Sequence, residues 1–169
     1  MTTVEYETRR AEPSDADGIA DAHRGSIRSI GPQFYPSNVV DDWAEGLTGD
    51  VYVKAMEGGE AFFIASGKIA GTVAVLGFAT DYRIDGSQHG TSVYVRGLAA
   101  RQGIGSALFR LAEARAIAQG AASIRVEASL AAVEFYKANG FAEVARGETR
   151  LMSGRPIACV FMQKDLSTT

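Results

Sequence analysis

Apolar residues recur with two different periods along the chain, and each period predicts a different kind of element. In the first sixty or so residues the period is helical, after one short alternating stretch that is typical of a strand. Ile19, Ala22 and Ile27 are among the residues that repeat at helical spacing. This part predicts a strand over residues 4–10, a helix that follows the Pro13 to Asp17 cap and ends at Gly31-Pro32, a second helix from Pro36-Ser37, and a short third helix between Asp50 and Gly58.

The period changes to two near residue 61, so the middle of the chain predicts strands. Residues 61–65 and 69–80 are apolar runs on either side of Ser66-Gly67-Lys68, a combination that is typical of a β-hairpin. A polar, glycine-bearing connection is expected over 81–90. The remaining predicted elements are a strand over 91–95, a helix over 103–119, a strand over 123–127, a helix over 129–139, and two strands over 141–150 and 155–164.

The order of these elements predicts a single α/β domain of the α+β type with a mixed sheet. A length of 169 residues fits one domain, over residues 1–169. The apolar share of 46% and the charged share of 22% are close to globular averages, which excludes disordered and fibrous chains. Only glycine departs from the average: 19 of the 169 residues are glycine, which is a larger share than the usual one of about 7%. The fold therefore requires open backbone at several places.

The charge balance excludes several classes of partner. A net charge of −3 gives no bulk attraction to nucleic acid or to an anionic membrane, so neither is expected as a partner. The N-terminus carries acidic residues where a signal peptide needs basic ones, and no apolar run is long enough to span a bilayer. The single Cys159 offers no disulfide or metal-ligand spacing, so no metal site is predicted. A cytoplasmic protein is expected.

One segment, residues 93–108, has the features of an anion-binding site. A strand that runs through a glycine loop into a helix points the free N–H groups of the first helical turn at one place. Gly103 and Gly105 allow a phosphate to approach the backbone, and Arg101 can add a charge-assisted hydrogen bond. A dinucleotide fingerprint needs glycine where Leu108 stands, and a P-loop needs Gly-Lys-Ser/Thr, so both are disfavoured. The simpler interpretation, that the glycines only cap a core helix, explains one glycine but not two beside an arginine.

The same segment resembles the coenzyme A pyrophosphate loop of the GNAT superfamily of N-acetyltransferases, which reads Arg/Gln-x-x-Gly-x-Gly/Ala. The match spans residues 100–105, with Ala100 at the usual Arg/Gln position. The resemblance implies that backbone amides hold the pyrophosphate and that Arg101 or Arg96 supplies the missing charge. It implies acetyl-CoA as the cofactor, with these cofactor-binding residues: Tyr94, Val95, Arg96, Arg101, Gln102, Gly103, Ile104, Gly105, Ser106, Ser129 and Phe135.

A second segment resembles the family's Ala-x-x-Phe-Tyr-x-x-x-Gly-Phe element. Ala132, Phe135-Tyr136 and Gly140-Phe141 match it, in the expected order after the first motif. One such motif is a weak signal, but the ordered pair identifies the chain as a bacterial-type, single-domain member of the superfamily. The resemblance implies a mixed, largely antiparallel twisted sheet of about seven strands, flanked by about four to five helices.

Acyl transfer to an amine requires a base, stabilisation of the oxyanion, and an acid for the departing thiolate. The resemblance implies Tyr136 as the general acid, and a backbone amide of residues 94–96 at the oxyanion. His89 is the predicted general base, because an imidazole titrates near the operating pH, and the simpler interpretation of it is a solvated loop histidine. The alternatives to it are a water chain and the side chains of Asp81, Tyr82, Asp85 and Glu127. His23 is expected to be a core or groove-lining histidine.

The acceptor pocket in this superfamily is usually walled by the first two helices, their connecting loop and the middle strands. That implies Arg24, Arg28 and Tyr35 as substrate-binding residues, with Phe34 and Trp43 near them. The leading hypothesis is an N-acetyltransferase that transfers an acetyl group from acetyl-CoA to a primary amine of a small molecule, an amino-acid-like compound or a peptide, by direct attack in a ternary complex. The alternative is a non-catalytic acyl-CoA-binding or regulatory module. A homodimer is an open possibility, because the final strands can extend a sheet across a two-fold axis.

Overall fold

The computed structural model describes residues 3–166, which form five α-helices and eight β-strands. The helices are α1 (Ala16–Ile30), α2 (Ser37–Glu45), α3 (Gly49–Glu57), α4 (Ile104–Ala118) and α5 (Val133–Ala138). The strands are β1 (Tyr6–Arg10), β2 (Ala61–Ile69), β3 (Thr72–Asp85), β4 (Gln88–Gly90), β5 (Val93–Val95), β6 (Ser123–Ser129), β7 (Ala142–Arg150) and β8 (Pro156–Asp165). No helix among the described residues has both the length and the apolar character needed to cross a membrane.

The strands form one open sheet in the order β1-β2-β3-β4-β6-β8-β7, and β5 pairs with β3 outside this path. Every pair is antiparallel except β4 with β6, which is parallel. The predicted α+β fold with a mixed, largely antiparallel sheet is confirmed. The described residues contain eight strands where about seven were expected, because the short β4 lies in a stretch that was predicted to be a polar connection.

The first hairpin turns later than predicted. Residues 66–68 belong to β2, and the turn is formed by Ala70 and Gly71, which both have positive φ angles of 49° and 83°. Two positive φ angles in a two-residue loop match the right-handed twist of the flanking strands. Gly67 lies within β2, and this strand position requires glycine because a Cβ there would lie 2.6 Å from the carbonyl oxygen of Glu5. The glycine therefore permits close packing within the sheet rather than a turn.

The predicted connection over 81–90 is a second hairpin. Strand β3 continues to Asp85, the chain turns at Gly86 with φ 52°, and β4 returns along β3. The polar residues of this stretch indicated a solvated loop, but Asp81 and His89 are only 2% and 0% exposed. They are buried as a hydrogen-bonded pair, which offsets part of the cost of taking them out of water.

Two hydrophobic layers cover the two faces of the sheet. Helices α4 and α5 pack on one face, where Leu108 and Val133 belong to the largest buried cluster. Helices α1 and α3 pack on the other face, where Ile19 and Tyr52 meet side chains of β2 and β3. Burial of one such side chain contributes about 1.5–3 kcal/mol. Helix α2 packs instead against the turn between β7 and β8, and this third cluster carries one wall of the pocket described below.

Candidate active site

The sheet opens at its centre, between β5 and the second half of β6. Strand β4 runs parallel to β6 as far as the Gly90 and Arg125 pair, and the N–H of Thr91 still donates to the carbonyl of Arg125 at 3.1 Å. Beyond this point, within residues 3–166, β5 pairs only with β3, and β6 pairs only with β8. The two strands therefore diverge and leave a wedge between their edges.

The backbone of β5 presents hydrogen-bonding groups to this wedge. The N–H of Thr80 donates to Ser92, and the N–H of Arg96 donates to Leu76, so these pairs are the hydrogen-bonded pairs of the β3 and β5 ladder. In an antiparallel ladder such pairs alternate with pairs whose N–H groups point to the opposite edge. The amides of Val93 and Val95 therefore point toward β6, into the wedge.

Tyr136 of α5 closes the narrow end of the wedge. Its hydroxyl accepts a hydrogen bond from the N–H of Val93 at 3.1 Å, and the side chain is 2% exposed. Burial raises the pKa of this phenol, while the Val93 N–H opposes the shift. The hydroxyl is consequently protonated at neutral pH, and its own proton remains available to a group in the wedge.

The chain leaves β5 through a loop with two left-handed residues before α4. Arg101 has a φ of 61° and Gly103, the N-cap of α4, has a φ of 81°. A Cβ at Gly103 would meet no atom within 4 Å, so this side of the helix terminus is open to a ligand. Glycine is required at position 105 for a different reason, because a Cβ there would lie 2.9 Å from Cε1 of Phe135. It lets α5 pack closely against α4, so this position requires glycine independently of any phosphate contact.

Most side chains of the predicted pyrophosphate loop are engaged within the protein. Arg96 donates from Nε to the carbonyl of Val75 at 2.6 Å and pairs with Asp21 at 3.0 Å. The Oε1 of Gln102 accepts a hydrogen bond from the N–H of Val4 at 2.8 Å. Other side chains of the predicted set are also in contacts: Ile104 is buried, the Oγ of Ser106 accepts from Asn139, and Phe135 packs against Tyr136.

Arg101 is the arginine of this loop that stays exposed. Because Arg96 is turned toward α1, Arg101 is the residue that can supply the charge missing at Ala100. The backbone amides and the positive end of the α4 dipole provide the rest of an anion site.

A cavity of about 220 Å³ adjoins the wedge on the face of the sheet opposite α4. It lies between α2, the β4 to β5 junction, β6, and the ends of β7 and β8. Its lining includes Tyr35, Trp43, Tyr82, Tyr94, Glu127 and Arg150. Ser129, predicted as a cofactor-binding residue, also lines it.

Tyr35 ties the loop after α1 to the sheet. Its hydroxyl donates to the carbonyl of Ala158 at 2.7 Å and accepts from the N–H of Leu130 at 2.9 Å. With both hydroxyl contacts used, the residue offers its ring to the cavity. The ring of Trp43 stands perpendicular to it, at 5.9 Å between centroids and an interplanar angle of 85°.

Glu127 is the carboxylate that lines this cavity. It projects from β6, where Val126 and Ala128 face the α4 core and the alternate residues face the pocket. The hydroxyl of Thr149 donates to its Oε2 at 2.7 Å, which holds one oxygen and leaves the other free. Glu127 is exposed, so water reaches it.

His89, predicted as the general base, lies on the other face of the sheet. Its Nδ1 is 2.7 Å from Oδ1 of Asp81, and the other oxygen of Asp81 accepts from Arg115 at 2.6 Å. Arg115 lies eleven residues after Ile104 in α4, about 16 Å along the helix axis. The imidazole is fully buried and does not reach the cavity, because the β3 to β4 hairpin turns it inward with its register partner Ile124. Of the alternative bases, Asp81 is held in this cluster and Asp85 lies exposed at the hairpin turn.

The remaining predicted residues divide between the cavity wall and the surface. His23 is buried, as expected, with its Nδ1 2.8 Å from the hydroxyl of Tyr52 and its ring 3.9 Å from that of Tyr94. Burial lowers the pKa of His23 to about 3, so the imidazole is neutral. Arg24 donates to the carbonyl of Leu47, and Arg28 is exposed on α1. Neither arginine lines the cavity, in contrast to the prediction.

Residues from the end of the chain complete the cavity and were not predicted. They are Thr149, Arg150, Leu151, Met152, Ile157 and Cys159. Nothing in the local sequence of β7 and β8 marks them, since their place in the wall depends on pairing between distant strands. The hairpin is held over α2 by Asp42, whose Oδ2 accepts from Ser153 at 2.6 Å and from Arg155 at 2.8 Å.

Solved structures share this fold over nearly the whole chain. An N-acetyltransferase related to GCN5 from Rhodopseudomonas palustris superposes with a TM-score of 0.79 at 24% identity, over 98% of this chain and 99% of that one. The PaiA N-acetyltransferase of Thermoplasma acidophilum, solved with coenzyme A, gives 0.72 at 17% identity, over 96% and 99%. The putative acetyltransferase YncA of Salmonella typhimurium, solved with acetyl-CoA, gives 0.69 at 18% identity, over 97% and 95%.

At such low identity these structures show a shared fold but not a family relationship. The family relationship comes from a comparison of the sequence with family models. No curated protein sequence matches the chain. The model of the acetyltransferase (GNAT) domain matches residues 34–166, which include the wedge, the α4 loop and the cavity residues from Tyr35 onward. The predicted family, the acyltransferase class and the use of acetyl-CoA are thereby confirmed. The chain belongs to the GNAT acetyltransferase family.

Proposed function

We propose that the protein is an N-acetyltransferase that transfers the acetyl group of acetyl-CoA to the primary amine of a small molecule, an amino-acid-like compound or a peptide, by direct attack in a ternary complex. The observation that carries the proposal is the hydrogen bond from Val93 to the hydroxyl of Tyr136. It sets a buried proton donor at the wedge, beside a cavity that Glu127 lines.

The wedge fits the acyl donor in three respects. The Val95 amide points into it, the helix terminus at Gly103 is open to an anion, and Arg101 is exposed beside that terminus. We assign the pyrophosphate to the first-turn amides of α4 with Arg101, and the pantetheine arm to the edge of β5. When bound, acetyl-CoA supplies the activated acyl group as a thioester.

Glu127 is the proposed general base and replaces His89 in that role. An acceptor amine arrives protonated at neutral pH and must lose a proton before it attacks. Glu127 is exposed, is held by Thr149 and retains a free oxygen, which supports proton removal directly or through one water. Tyr82 lines the same cavity, and its ring lies across Gly90. This packing supports a role for Tyr82 in the cavity wall rather than as the general base.

Groups in the wedge are proposed for the other two requirements, which are stabilisation of the oxyanion and protonation of the departing thiolate. The N–H of Val95 is the proposed donor to the acyl oxygen as negative charge develops there. Tyr136 is the proposed acid that gives a proton to the departing sulfur. The Val93 N–H then stabilises the phenolate that is left, which supports the return of the proton in the next cycle.

The test is to mix the purified protein with acetyl-CoA and a panel of primary amines and to follow the release of free thiol. Release that depends on both the amine and Tyr136 is expected. Binding of coenzyme A with no release above background across the panel would instead indicate the non-catalytic binding module. A cytoplasmic location, a domain extending over 1–169 and a homodimer remain predictions; for the last, size-exclusion chromatography with light scattering is the direct measurement.

A further inference from the structure

The acceptor cavity carries one charge of each sign, and the two do not neutralise each other. Among the described residues that line it, Glu127 is the carboxylate and Arg150 is the cation. No contact within 4.0 Å joins their charged groups in residues 3–166, although Thr149, which binds Glu127, is the chain neighbour of Arg150. A cavity with two opposite and unpaired charges is complementary to a ligand that carries both charges itself.

Arg150 is held in place while keeping donors free. Its Nη1 donates to the carbonyl of Gly154 at 2.7 Å, across the turn between β7 and β8. Within residues 3–166 the guanidinium has no carboxylate partner, in contrast to Arg155 on the same hairpin, which pairs with Asp42. A guanidinium presents five N–H donors in a plane, so one anchored Nη1 leaves a fork for a ligand carboxylate.

The walls and the size of the cavity restrict the rest of the ligand. The rings of Tyr35, Trp43 and Tyr94 form a corner, in which successive rings stand at 85° and 78° to each other. Apolar and aromatic groups pack well against such a corner. The volume of about 220 Å³ accommodates an acceptor smaller than drug-sized ligands, whose sites span about 300–1,000 Å³.

We infer that the acceptor is a free α-amino acid with an apolar or aromatic side chain, and that Arg150 determines this specificity by binding its carboxylate. The inference rests on the proposed function for the identity of the cavity as the acceptor site. The amine lies toward Glu127, the carboxylate toward Arg150, and the side chain against the aromatic corner. An acidic side chain would bring a second carboxylate near Glu127, so aspartate and glutamate are poor acceptors.

The test compares acceptors that differ only in the carboxylate. L-Phenylalanine, its amide, phenethylamine and a tripeptide with N-terminal phenylalanine are assayed at saturating acetyl-CoA. We expect kcat/KM for phenylalanine to exceed that for each of the others by at least about tenfold, the size of one charge-assisted contact. Equal rates with the amide, or a preference for the tripeptide, would overturn the inference while leaving the proposed acetyltransferase intact.

Substitution of Arg150 separates charge recognition from folding. Arg150→Met should lower kcat/KM for phenylalanine about tenfold or more and leave that for phenethylamine unchanged, and Arg150→Lys should restore part of the loss. Arg146→Met is the matched control, because this β7 arginine pairs with Glu143 and does not line the cavity. An unchanged rate for phenylalanine in Arg150→Met contradicts the inference.

Binding measurements keep the inference distinct from catalysis. Calorimetric titration of L-phenylalanine into protein saturated with coenzyme A should show binding that Arg150→Met weakens about tenfold and Arg146→Met does not. If this holds but no amine releases thiol, the recognition of amino acids stands and the proposed transfer fails. If phenylalanine neither binds nor reacts while another amine is acetylated, the inference is wrong and the proposed function remains.

Discussion

The hydroxyl of Tyr136 accepts a hydrogen bond from the backbone N–H of Val93 at 3.1 Å. This contact joins α5 to the strand that diverges from β6, at the place where strand pairing stops. It leaves the phenolic proton as the group that Tyr136 can offer to the wedge. The same bond therefore stabilises the divided sheet and, in the proposed mechanism, prepares an acid.

Replacing Tyr136 with Phe should lower kcat by about 10²-fold or more, because a general acid contributes about 10²–10⁴-fold. It also leaves the Val93 N–H unpaired, which costs about 1–3 kcal/mol of unfolding free energy. Tyr52→Phe is the control, since it removes another buried phenol, one that binds His23. It should lose stability and keep kcat within about twofold. Full turnover in Tyr136→Phe would remove this residue from the mechanism.

Replacing Glu127 with Gln should lower kcat by about 10²-fold or more while the protein folds normally, because the amide keeps the size and the Thr149 contact but cannot take a proton. Asp85→Asn is the matched control, since Asp85 is an exposed carboxylate at the β3 to β4 turn and does not line the cavity. Thiol release under saturating acceptor measures both variants. Unchanged turnover in Glu127→Gln would assign the proton transfer to water or another group.

Replacing Gly103 with Ala should weaken coenzyme A binding about tenfold, since it adds a methyl group where the phosphate is expected to approach. Gly120→Ala is a close control, because Gly120 has the same φ of 81° and equally open surroundings. Both variants should lose about 1–2 kcal/mol of unfolding free energy from the left-handed backbone. Calorimetric titration with coenzyme A should separate them, and equal affinities would contradict the proposed phosphate site.

Replacing Arg115 with Met should lower the unfolding free energy by about 3 kcal/mol, because Asp81 is 2% exposed and would lose one of its two hydrogen-bond partners in the buried cluster. Arg146→Met removes an exposed pair with Glu143 and should leave the unfolding free energy almost unchanged. Urea denaturation gives both values. The KM for acetyl-CoA should not change in either variant, and a selective change in kcat for Arg115→Met would give the His89 cluster a catalytic role.

Acid should destabilise the protein through His23. Its pKa is lowered from 6.5 to about 3 by burial, with a smaller contribution from Arg24, so between these values the unfolded chain binds a proton that the folded protein excludes. The stabilisation is complete above pH 6.5 and is lost as the pH falls toward 3. Between pH 7 and pH 4 the loss is about 3 kcal/mol. In His23→Gln the pH dependence of the unfolding free energy should be flatter by that amount, and an equal slope in both proteins would contradict the assignment.

Elements with a strong local pattern were predicted close to their observed bounds, and those that depend on pairing were not. Helix α4 starts one residue after its predicted first residue, because Gly103 and the apolar stripe mark it locally. The first hairpin was misplaced because Gly67 indicates a turn, whereas β1 lies against it and makes it a strand glycine. The burial of His89 was not predicted for a similar reason, since the local sequence does not reveal that Asp81 and Arg115 enclose it.

The sequence by itself determined the family, and it predicted the phosphate loop before α4 and the role of Tyr136, because each depends on residues close together in the chain. Only the tertiary structure decided the cavity that we propose for the acceptor. Its wall joins Tyr35 to β8 through a hydrogen bond to Ala158, 123 positions away. It also brings Arg150 and Glu127 to one space without pairing them. Strand order and register set those distances, and neither is encoded in the local spacing of residues.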